Sequence, residues 1–149
     1  MEFLQDLLTN PFLVTPITAW FIAQLMKVII NLIVHKKLIW ERLIGDGGMP
    51  SGHSATVASL AIITALLKGV GSFEFAVAAI LAIIVCHDAT GVRRETGRQA
   101  RVLNDIIEIL ESKDLPEAKL KELVGHTPLQ VAMGITVGAV VAVGMYLLR

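Results

Sequence analysis

Gly47-Gly48-Met49-Pro50-Ser51-Gly52-His53-Ser54-Ala55 places a histidine and two hydroxyls at a turn that opens into an apolar run. Proline suits a helix start, where its missing N–H costs nothing, and Ser51 can cap the backbone donors that follow. Glycines on both sides let a ligand approach the main chain closely. Unpaired N–H groups and the positive end of a helix dipole favour an anion. A histidine at that spot can take or give a proton near neutral pH. This is the chemistry of a phosphate site with a proton donor. Gly125-His126-Thr127-Pro128-Leu129-Gln130 repeats the logic, with a histidine ahead of a second Pro-started apolar run.

Cations accompany both histidines. His87-Asp88-Ala89-Thr90-Gly91-Val92-Arg93-Arg94 closes another apolar run, and the planar fork of arginine matches phosphate oxygens. Adjacent helical residues point about 100° apart, so one of Arg93 and Arg94 faces a given site, unless both serve only to set membrane topology. Asp88 would pair with these cations or orient a histidine, while His87 reads as an interfacial residue. Lys27 lies inside the first apolar run, at a depth of roughly 10 Å by helical rise. It either faces a polar cavity or snorkels to the headgroups. Two histidines converging with arginines and a buried lysine make a concave anion site with proton-transfer capacity.

The elements that must position these residues are membrane helices. The chain has 149 residues, 54% of them hydrophobic, with a mean hydropathy of +0.69, well above soluble-domain composition. Residues 12–34, 54–67, 73–86 and 128–148 are apolar, the middle two divided by the turn signal Lys68-Gly69-Val70-Gly71-Ser72. The expected fold is all-α, an integral-membrane bundle of about four transmembrane helices, in one domain spanning 1–149. The first span has an acidic start (Glu2, Asp6) and no small-residue cleavage site, unlike a signal peptide. Lone Cys86 excludes an internal disulfide. Thirteen basic and thirteen acidic residues cancel, which gives no reason to expect nucleic-acid binding.

Lys36, Lys37 and Arg42 fall in the first connection, and seven Lys or Arg residues fall between 87 and 127. The positive-inside rule puts both connections in the cytoplasm and both termini outside. Within the second connection, residues 92–124 carry an amphipathic helical pattern. Leu103, Ile106, Ile107 and Leu110 recur at three- and four-residue spacing, and a shorter helix is expected from Leu115-Pro116-Glu117 to Val124. This insertion reads either as a lid over a site or as a solvated linker. Four thin helices would leave apolar surface that a second copy could cover, as a homodimer.

Pro50-Ser51-Gly52-His53, Lys27 and the stretch from Gly125 to Gly134 together resemble the type-2 phosphatidic acid phosphatases and related vanadium haloperoxidases. The three motifs of that superfamily are a lysine followed by an arginine, Pro-Ser-Gly-His, and an arginine ahead of a histidine and an aspartate. The second matches fully. Departures are the missing Arg-Pro after Lys27, for which Lys37 or Arg42 is a loose substitute, and the missing arginine just before His126, where Lys119 and Lys121 lie nearby. Gln130 stands at the aspartate position. With Asp-Ala-Thr-Gly-Val-Arg-Arg and Leu-Lys-Glu-Leu-Val-Gly-His-Thr-Pro, these differences resemble the superfamily's divergent bacterial and plant branch.

The resemblance implies a membrane lipid-phosphate or isoprenoid-diphosphate phosphatase acting through a phosphohistidine, without metal or other cofactor. His126 would attack phosphorus and His53 would protonate the leaving oxygen. Ser51, the Gly52 N–H, Lys27 and Arg93 or Arg94 would hold the phosphoryl oxygens. Asp88 is the first candidate to accept from the other nitrogen of His126, and the Gln130 amide oxygen the second. The competing reading is a non-catalytic lipid-phosphate binder or transporter that retains the anion site. A membrane scaffold with relic histidine motifs is a third. By charge, the site faces the cytoplasmic side of a bacterial-type inner membrane.

Overall fold

A computed structural model describes residues 2–36, 48–110, 120 and 124–149. Among them run six helices: α1 (Glu2–Thr9), α2 (Pro11–His35), α3 (Gly52–Lys68), α4 (Phe73–Thr90), α5 (Val92–Leu110) and α6 (Pro128–Leu147), with no strand among the described residues. The bounds follow local chemistry. Asn10 Oδ1 accepts from Phe12 N at 2.9 Å and Pro11 opens α2. Ser51 caps α3, Ser72 caps α4 and Thr127 caps α6, each side chain accepting from a backbone N–H three residues on. Gly69, at φ +86°, ends α3 within the turn expected at 68–72.

Two local readings change. Pro50 precedes the cap of α3 rather than sitting in its first turn, because Ser51 itself is the N-cap and Gly52 the first helical residue. The two-turn helix α1 was not expected, being too short for a periodic pattern to stand out. The helix expected over 115–124 falls outside the described residues, save Leu120 and Val124, neither of which is helical. Lys37, Arg42, Lys119 and Lys121 also lie outside them.

By length and composition, α2, the run from α4 into α5, and α6 can each cross a membrane. Helix α3 has 17 residues, about 26 Å of rise against a hydrocarbon thickness of about 30 Å. It is also the central helix, packed against α2, α4 and α6. Around it, large apolar side chains point outward: Phe21, Ile33, Ile80, Ile83, Val140 and Leu147 are all more than half exposed. Water penalises such a surface and hydrocarbon does not. The protein is therefore an integral membrane protein with an all-helical bundle, as its composition implies.

Small residues hold the bundle together. Ala19, Ala23 and Ala55 are fully buried with Val137 beside them. A Cβ on Gly134 would overlap the Ser51 carbonyl oxygen, and one on Gly138 the Ala55 carbonyl oxygen. Without a hydrophobic drive between helices in lipid, close backbone approach through such glycines supplies the packing. The α3–α6 crossing thus leaves no room for a side chain at Gly134 or Gly138, and it begins at the Pro-Ser-Gly-His turn.

Candidate functional site

The start of α6 is built as a clamp. Thr127 and Gln130 form a reciprocal capping box: Gln130 N donates to Thr127 Oγ1 at 3.3 Å and Thr127 N donates to Gln130 Oε1 at 2.9 Å. One residue earlier, His126 N donates to Ala89 O at 2.9 Å, tying this strand of chain to the end of α4. Gly125 has φ +85°, and a Cβ there would overlap the backbone of Arg93 and Arg94. Only glycine allows both the left-handed conformation and this approach. His126 is consequently 3% exposed, with Nδ1 3.4 Å from Gln130 Oε1.

The start of α3 meets that clamp. Ser51 N donates to Gln130 O at 3.0 Å. Ser51 Oγ accepts from Ser54 N at 3.3 Å and pairs with Ser54 Oγ at 3.0 Å, both side chains fully buried. A Cβ on Gly52 would lie 3.3 Å from Trp20 Cδ1 and 3.9 Å from Gln24 Cδ, so α2 presses on this turn. The N–H groups of Gly52 and His53 belong to the first turn, which a helix leaves unsatisfied. His53 projects to the exposed side. Its ring lies 6.4 Å from that of His126, centroid to centroid, at an interplanar angle of 62°.

Arginines share a cavity with His126, and Lys27 approaches its rim at Gly48. Lys27 is 5% exposed, which selects the buried reading over snorkelling. Its Cγ and Cδ lie 3.3 Å from where a Cβ of Gly48 would stand, and Gly48 has φ +85°. A cavity of about 400 Å³ opens between α5 and the start of α6, lined by Gly48, Arg94, Arg98, Arg101, His126 and Gln130 among others. Arg94 is therefore the member of the arginine pair that faces it. Arg93 Nε instead donates to Asp88 Oδ2 at 2.6 Å.

The sequence-derived residues thus divide. His53 and His126 meet, His126 and Arg94 line the cavity, Lys27 runs against Gly48 at its rim, and Ser51 joins the start of α6 through Gln130 O without being among the lining residues described. Asp88 does not take the place expected of it: the carboxylate is engaged by Arg93, and the atom facing His126 Nδ1 is Gln130 Oε1. Helical geometry explains the change. Asp88 lies one residue before Ala89, whose carbonyl receives the His126 amide, whereas Gln130 lies one turn into the helix that His126 precedes. Sequence reasoning did not select Arg98, Arg101, Trp20 or Gln24 for the site. For the arginines a signal existed, since positions 94, 98 and 101 share a helix face.

The pattern of the Divergent PAP2 family matches residues 8–141. An uncharacterized membrane protein from Bacillus subtilis (strain 168), YuiD, is 45% identical over 141 residues, covering 87% of this chain and 89% of that protein. No solved structure matches the chain.

Proposed function

The chain belongs to the Divergent PAP2 family, and from that premise we propose that it hydrolyses a phosphate or diphosphate ester of a membrane lipid through a phosphohistidine. The observation that carries this reading is the approach of two histidine rings to 6.4 Å at one end of the bundle. A phosphorus atom between them can lie about 3 Å from an attacking nitrogen while its leaving oxygen stays within hydrogen-bond reach of the other ring.

In the tautomer that donates from His126 Nδ1 to Gln130 Oε1, 3.4 Å away, the lone pair lies on Nε2. Nε2 attacks phosphorus, the P–O bond to the lipid breaks, and His53 gives its proton to the departing oxygen. Water, deprotonated by His53, then attacks the phosphohistidine and releases orthophosphate, restoring both rings. Lys27, Arg94 and the first-turn N–H groups of α3 stabilise the equatorial oxygens. In this reading the lipid chain lies along the apolar outer faces of the helices, and the positive charge of the two connections supports a site on the cytoplasmic side of the inner membrane.

A neutral amide facing Nδ1 stabilises a developing imidazolium less than a carboxylate does. That observation favours the second reading, a lipid-phosphate binder without turnover. Phosphate release from a panel of lipid phosphates and diphosphates separates the two, with His53→Ala and His126→Ala as controls and vanadate as a transition-state mimic. Release that needs both histidines, with vanadate binding lost in His126→Ala, is expected. No release from any lipid, with orthophosphate still bound, would establish the binder.

A further inference from the structure

Helix α5 turns an apolar face away from the rest of the molecule. Val92, Val102, Leu103, Ile106 and Ile109 are between 44% and 83% exposed, and at about 100° per residue they share an arc of about 120°. Gly97 and Ala100, both buried, lie on the far side of the helix. Among the described helices, α5 packs on α4 alone. The returning chain is held on that far side too: Asn104 Nδ2 donates to Leu120 O and Leu120 N donates to Asn104 Oδ1, each at 2.9 Å. The contacts of α5 thus gather opposite its apolar face, and an outward cluster of large apolar side chains marks an interaction surface.

We infer that this face is seated in the bilayer, with acyl chains against the five apolar residues and Arg98, at the edge of the arc, among the lipid headgroups. The level of the helix selects lipid as the occupant. Only Gly91 separates α5 from the membrane helix α4. Lys27 packs on Gly48, which lines one cavity with Arg94 and Arg98. Past Lys27, α2 runs on to His35, about 12 Å of rise, and still exposes Leu32, Ile33 and Val34. The lipid-facing surface of α2 therefore reaches beyond the level at which α5 begins.

Charge supports the same seat. Arg93, Arg94, Arg98 and Arg101 occupy the first three turns, nearest α4, while Asp105 and Glu108 lie toward the far end. That order suits the anionic surface of a cytoplasmic leaflet. Glu95 interrupts the apolar arc near its start, where Arg98 Nη1 donates to Glu95 Oε2 at 3.3 Å and offsets its charge. The helix is too charged to cross hydrocarbon and too apolar on one side to stand in water, which is the character of a helix that lies in the interface. Such a seat requires no turnover at the histidines.

The test places a nitroxide label at single cysteines of the full-length protein, in a Cys86→Ser background, within nanodiscs of phosphatidylcholine and phosphatidylglycerol. Val102→Cys, Ile106→Cys and Ile109→Cys sample the outward face, and Glu108→Cys the opposite, exposed side. Collision with dissolved oxygen, which concentrates in lipid, is compared with collision with a water-soluble nickel chelate. The oxygen-to-nickel ratio is expected to be severalfold higher at the three outward positions than at Glu108. Val102→Asp with Ile109→Asp, read by the label at Ile106, should lower that ratio severalfold with helical content unchanged. Equal ratios on the two sides, or a ratio at Ile106 that the aspartates leave unmoved, would place the face outside the bilayer and overturn the inference. Protection of the outward positions from both reagents, with spin–spin broadening that unlabelled protein dilutes away, would put a second copy of the chain there and overturn it equally.

Discussion

The starts of α3 and α6 look alike in the sequence, each with a histidine beside a proline and a hydroxyl cap, yet they hold their histidines in opposite ways. His126 precedes its cap, is buried, and is fixed by its own amide, by Gln130 and by the press of Gly125 against Arg93–Arg94. His53 follows its cap, is exposed, and among the described residues meets His126 by a ring contact. A nucleophile gains from immobility and a set tautomer, because near-attack geometry is demanding. A proton donor and acceptor that must serve first a lipid oxygen and then water gains from reach. The asymmetry fits the two roles proposed for these histidines.

The largest effect that could break this comparison is on His126. His126→Ala is expected to lower phosphate release by more than about 10³-fold and to abolish an acid-labile phosphoenzyme in rapid-quench labelling. Labelling that persists in this variant would move the nucleophile elsewhere. His53→Ala should lose about 10²- to 10⁴-fold with an alkyl phosphate. Much of that deficit should vanish with an aryl phosphate, whose leaving group needs no proton. An equal deficit for both leaving groups would deny His53 the role of acid.

Gln130→Leu removes the acceptor for His126 Nδ1 and half of the capping box. We expect a fall in kcat of about tenfold or more together with about 1 kcal/mol of lost stability, whereas Gln130→Glu should keep the cap and preserve or raise kcat. Gly138→Val tests the frame alone. Its side chain would meet the Ala55 backbone and should cost about 1–3 kcal/mol, read as a lower Tm in detergent. The smallest effect is on Asp88. Its pair with Arg93 is over one-third exposed on both sides, so Asp88→Asn should change turnover less than about threefold. A loss of the size expected for Gln130→Leu would return Asp88 to the His126 relay.

Much of this was legible along the chain because it is local. The Asn10-Pro11, Ser51, Ser72 and Thr127-Pro128 starts obey rules that involve residues three or four apart. The apolar runs obey the length of the bilayer. The convergence of Lys27, His53, Arg94 and His126 was legible in kind, since all follow from alternating helix direction placing four helix ends on one side. What stayed hidden was rotation about helix axes. Whether Asp88 or Gln130 faces Nδ1 depends on tens of degrees, and no spacing rule delivers that across separate helices. Gly134 and Gly138 read as ordinary apolar-run glycines until the Ser51 and Ala55 carbonyls are found against them.

Sequence alone therefore settled that this chain enters the membrane, where its helices begin, and which residue types gather at one end, because hydropathy and capping act over a few residues. Tertiary structure decided which arginine faces the cavity, which acceptor addresses His126, and that only glycine fits where α6 crosses α3. Those outcomes depend on how close two backbones come and at what angle, and contact between distant segments has no signature in either segment read by itself.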